Sequence, residues 1–128
     1  MFKYFLIFIS FSIFSPTILA EQQFVCRTKQ FIVIIDYLPS RDLLRYRSWN
    51  KPKRIQTRPS LELYGNPVNT SYSEGTGVCR YTTWNFTKRN FRYVVEEESP
   101  CGETPPKITG TLSVYENGNL ILTQSCVK

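Results

Sequence analysis

Short runs of β-branched and aromatic residues recur roughly every ten to fifteen residues in this chain, and no window between them keeps a helical apolar period for three turns. That pattern points to strands joined by turns. The runs cover 24–29, 31–38, 43–49, 61–64, 78–86, 91–95, 108–115 and 120–127. Turn chemistry separates them: Pro39-Ser40-Arg41-Asp42, Gly65-Asn66-Pro67, a four-residue loop Thr87-Lys88-Arg89-Asn90, and Asn117-Gly118, the strongest hairpin signal of all. The polar stretch 69–77 reads as a loop or irregular edge, and 96–106 as acidic and irregular. The expected fold is all-β, a small antiparallel barrel or sandwich of about seven or eight strands.

The first twenty residues stand apart from this pattern. Lys3 precedes an apolar run over 5–14, Ser15-Pro16 breaks it, and Ile18-Leu19-Ala20 offers a small residue for cleavage. The run is shorter than the roughly 20 apolar residues a membrane span needs. Residues 1–20 are therefore expected to be a signal peptide and 21–128 one domain without a transmembrane span, in the periplasm or secreted. Cys26, Cys79, Cys101 and Cys126 then enter an oxidising compartment, where an even count in a small domain reads as two disulfides. Four cysteines allow three pairings, and sequence does not choose among them. The preferred one joins Cys79 to Cys101 across a hairpin and Cys26 to Cys126 at the ends of the domain. No CxxC spacing suggests redox or zinc chemistry.

Charge is the next constraint. Without Lys3 the chain keeps fifteen basic and ten acidic residues, a formal +5. Nine of the basic residues and only two acids fall within 27–58, and the rest of the domain is slightly acidic. Period-two geometry over 43–49 places Leu43, Arg45, Arg47 and Trp49 on one face and Leu44, Tyr46 and Ser48 on the other. Arg45, Arg47, Trp49, Lys51, Lys53 and Arg54 thus form a candidate binding face for an anionic glycan or lipid of the cell envelope, or for an acidic protein. No specific nucleic-acid partner is implied. The competing reading is a solvated face matched internally by Glu96-Glu97-Glu98.

Catalytic chemistry finds little footing. The chain has no His, which removes the commonest general base and His metal sites. Its clustered carboxylates lie only at 96–98, just before Ser99-Pro100 ends the strand. No cofactor or metal site is expected, and the protein reads as a non-enzyme. Asn69-Thr70-Ser71 and Asn85-Phe86-Thr87 are sequons, relevant only in a eukaryotic host.

The strings at 44–51, 59–63 and 74–79 resemble a group of small uncharacterised exported proteins of Gram-negative bacteria. The layout, with Cys26 near the start and Cys126 near the end, is also similar to the periplasmic C-type lysozyme inhibitors. That family inserts a loop with a Ser-x-x-Gly-x-Arg-like signature. Residues 73–81 echo it at altered spacing, which makes Ser73, Gly75, Gly77 and Arg80 a candidate inhibitory loop. The resemblance implies a monomeric, exported, non-enzymatic binding protein acting by loop insertion. The alternative is an envelope-binding or structural module using the basic 41–58 stretch.

Overall fold

A computed structural model describes residues 19–128. The expected leader, except Leu19 and Ala20, lies outside the described residues. The domain is two antiparallel sheets, each a simple meander. The first contains β1 (Glu21–Arg27), β2 (Phe31–Leu38), β3 (Leu43–Asn50) and β4 (Leu61–Gly65) in that order. A one-turn helix, α1 (Pro67–Thr70), leads into the second, which orders β5 (Ser71–Glu74), β6 (Tyr81–Lys88), β7 (Phe91–Glu97), β8 (Ile108–Glu116) and β9 (Asn119–Val127).

Nine strands form where seven or eight were expected. The additional one is β5, which its polar composition had disguised and which exists by pairing with β6. The run expected over 78–86 begins later, at Tyr81, because Gly77–Cys79 winds into a short 3-10 turn. The β6–β7 connection is also tighter than the expected four residues. Lys88 pairs with Phe91, leaving Arg89-Asn90 as the turn, with Arg89 at φ +56°. Asn117 and Gly118 turn β8 into β9 as expected, at φ +50° and +80°, the left-handed values a two-residue turn of this kind requires.

Alternation sets the core. On β3, Leu44, Tyr46 and Ser48 point inward and are buried, beside Val33 and Ile35 of β2 and Leu63 of β4. The second sheet answers with Trp84, Phe86, Val95 and Leu112. Rings bridge the layers: Phe24 stacks on Trp84 at 5.5 Å, and Tyr46 meets Phe86 at 5.5 Å and Tyr93 at 5.6 Å. Each large side chain buried this way contributes about 1.5–3 kcal/mol. The same burial pushes the phenols of Tyr46 and Tyr93 upward, since a phenolate there would lose its hydration.

Both preferred disulfides form, Cys26–Cys126 and Cys79–Cys101. The first joins β1 to β9, so the edges of the two sheets are sewn together with Cα atoms 4.8 Å apart. Two bridges fit an oxidising, extracytoplasmic compartment. No helix among the described residues is long and apolar enough to cross a membrane.

The meander also sorts the connections by end. In the first sheet the 28–30 turn and the 51–60 connection share one end, here called the hairpin end, where Lys51 N–H donates to Gln30 O at 2.9 Å. In the second sheet the 89–90 and 117–118 turns share one end, where Asn117 N–H donates to Asn90 O at 2.9 Å, and the 75–80 and 98–107 segments lie at the other. The hairpin end of the first sheet meets the second near the C-terminal end of β9, where the Gln124 amide reaches Gln30 at 2.7 Å and Cys26 bonds Cys126.

Candidate functional site

The six residues of the candidate face separate into two groups. Arg45 and Arg47 lie side by side on the outer surface of β3, as alternation requires, but both are occupied. The β2–β3 register sets Asp36 opposite Arg45. Its Oδ2 accepts from Arg45 Nη2 at 2.6 Å and from Arg47 Nη2 at 2.7 Å, and its side chain is only 5% exposed. Glu62 on β4 stands opposite Arg47. Two cations and two carboxylates leave this strip without net charge. The internal match expected from Glu96-Glu97-Glu98 is made instead by Asp36, because those glutamates begin from β7, in the other sheet.

Trp49 follows the outward parity of Arg47, whose guanidinium sits 5.3 Å from its ring centre, yet it is 1% exposed. The 51–60 connection folds back over it, and the indole N–H donates to Thr57 O at 2.9 Å. Trp49 is thus the anchor of that connection and is not open to a partner.

Lys51, Lys53 and Arg54 stand on the connection itself and are exposed. Lys51 Nζ donates to Thr28 O at 2.6 Å, and Lys53 N–H to Asn50 O at 3.0 Å, so the segment is held at both edges. Topology adds cations beyond the six-residue face: Arg27 and Lys29 arrive from the first hairpin and Arg58 from the same connection. The hairpin end therefore gathers six cations, with no carboxylate in residues 27–31 or 50–61. Among the described residues the ion pairs are those of Asp36, and none engages these six. Clustered like charges raise the energy of the free protein and are relieved by an arriving anion.

Beside this cluster, Arg27, Ile32 and residues 51–56 enclose a shallow basin of about 470 Å³. Ile32, Pro52 and Ile55 give it an apolar floor, and no carboxylate lines it.

The fold brings the candidate loop Ser73, Gly75, Gly77 and Arg80 into one exposed segment. Gly75 holds φ +81°, and a Cβ there would stand 2.5 Å from Cys79 O, so the bend needs glycine. Gly77 at φ +58° turns Val78 outward to 86% exposure. Ser73 Oγ shares a hydrogen bond with Thr82 Oγ1 at 3.1 Å. The Cys79–Cys101 bridge and a Ser99 hydroxyl donating to Cys79 O at 3.2 Å tie the loop to the acidic 96–103 segment. Glu74 accepts from the Tyr81 hydroxyl, which raises that phenol.

Among the described residues no group of three or more Cys, Asp or Glu is placed to hold a metal ion. No protein-family model, curated protein or solved structure matches the chain.

Proposed function

We propose that this is an exported, non-catalytic binding module whose hairpin end engages an anionic component of the cell envelope, glycan or lipid. The observation that carries this reading is the convergence of six cations without ion-pair partners, Arg27, Lys29, Lys51, Lys53, Arg54 and Arg58, from two connections on the hairpin end of the first sheet. Such a surface attracts anions over a Debye length and holds them by contacts that salt weakens. Arg45 and Arg47 are left out of the binding surface, since Asp36 already neutralises them.

Binding to anionic vesicles or an anionic polysaccharide, followed by co-sedimentation, tests this. Lys53→Glu with Arg54→Glu and Arg58→Glu should weaken it at least tenfold, whereas Arg45→Ala with Arg47→Ala should change it little. Affinity that is the same at about 0.05 M and about 0.5 M salt would refute the reading.

A second reading is supported by a separate observation. The Cys79–Cys101 bridge fuses the exposed Val78 loop to the carboxylates of 96–103. A rigid apolar tip flanked by acids suits a basic protein partner, and inhibition of a lysozyme by loop insertion is its sharpest form. Purified protein should then slow lysis in a turbidity assay, and Val78→Asp should abolish the effect. No inhibition of any lysozyme class would dispose of it.

A further inference from the structure

The basin at the hairpin end narrows the choice between glycan and lipid. This inference rests on the preceding reading of that end. A polysaccharide is matched by cations and hydroxyl-bonding groups, and it gains nothing from exposed isoleucine. Here the cations surround an apolar floor: Arg27, Lys53 and Arg54 stand around Ile32 and Ile55, with Ile55 39% exposed. The 51–60 connection is pre-positioned by Trp49, Asn50 and Gln30, so the rim need not be ordered at the moment of binding.

We propose that this basin takes an anionic lipid at the surface of a bilayer. The headgroup phosphate lies among Arg27, Lys53 and Arg54, and the first methylenes of the chain rest on Ile32 and Ile55. Cations and exposed apolar groups act together in such docking: charge supplies attraction to the anionic leaflet, and apolar burial makes it persist as salt rises.

The test uses the mature protein with both bridges intact. Its probes are phosphatidylcholine vesicles with and without about one third phosphatidylglycerol, an anionic polysaccharide, and inorganic phosphate. Ile55→Ser is an exposed change that keeps every cation. It should weaken binding to the anionic vesicles about tenfold and leave polysaccharide binding unaltered. The unaltered polysaccharide binding of Ile55→Ser guards against a local disturbance of the 51–60 connection, since the same connection carries the cations. Vesicle binding that withstands Ile55→Ser but is lost in Lys53→Glu with Arg54→Glu overturns the lipid proposal and leaves the anionic reading standing. The same holds if inorganic phosphate alone displaces the protein at low millimolar levels. Binding to none of the anionic probes overturns both.

Discussion

The two disulfides should be unequal, and the inequality can be worked out beforehand. Cys26–Cys126 spans a sequence separation of 100 and Cys79–Cys101 one of 22. Loop-closure entropy in the unfolded chain assigns them about 4.7 and about 3.4 kcal/mol. Burial widens the gap. Cys26 and Cys126 are both 0% exposed, so replacing them by Ala also leaves a small void, costing about 1 kcal/mol more. Cys101 is exposed and Cys79 half-buried, and Ala there leaves almost no void. Cys26→Ala with Cys126→Ala should therefore lose about 5–6 kcal/mol and Cys79→Ala with Cys101→Ala about 3.4. At a urea slope of about 1.5 kcal/mol/M the midpoints fall by roughly 3.7 M and 2.3 M. The first loss rivals the whole stability of a small domain, so an unfolded Cys26/Cys126 variant also agrees with the reasoning. Limited reduction followed by alkylation and mass spectrometry should find Cys79 and Cys101 labelled first. Equal midpoints, or a larger loss from the Cys79/Cys101 variant, would refute the argument.

Asp36→Asn should cost about 2–3 kcal/mol, below the figure for a fully buried pair because the two guanidinium side chains are 20% and 24% exposed. A coupling under about 0.5 kcal/mol between Asp36→Ala and Arg47→Ala in a double-mutant cycle would contradict this. Gly110→Ala would set a Cβ 2.3 Å from Glu96 O in the β7–β8 ladder and should cost about 2–3 kcal/mol in thermal unfolding, so an unchanged melting temperature would tell against it. Alkali offers a third check. The folded phenol of Tyr46 is pushed above its unfolded value of 10.0 by burial, so stability is complete below that pH and falls as pH rises past it, when the unfolded chain releases a proton the folded one retains. Absorbance at 295 nm should show Tyr46 ionising only with loss of far-ultraviolet dichroism, and complete reversible titration of all tyrosines in a folded protein would refute it.

The strands that sequence revealed are those whose side chains alternate or whose turns need special backbone, such as β3 and the β8–β9 hairpin at Asn117-Gly118. β5 escaped notice because Ser71-Tyr72-Ser73-Glu74 carries one apolar residue, and its strand character comes from its neighbour β6. Parity correctly put Arg45, Arg47 and Trp49 on one face. It could not supply Asp36, which is opposite Arg45 only through the register, nor the 51–60 connection that closes over Trp49. The basic run was legible as composition. Its meaning changed when Arg45 and Arg47 dropped out, because the strand register hands both guanidinium groups to Asp36.

Every hydrogen-bonded strand pair in both sheets joins immediate neighbours along the chain. Contact order within each sheet is therefore low for a β protein, and each sheet can zip from its hairpins without waiting for the other. Only the docking of one sheet on the other and the meeting of the two buried thiols at positions 26 and 126 demand distant partners. Oxidation at that pair then becomes the last covalent event of maturation, a latch that closes once the sheets have already found each other.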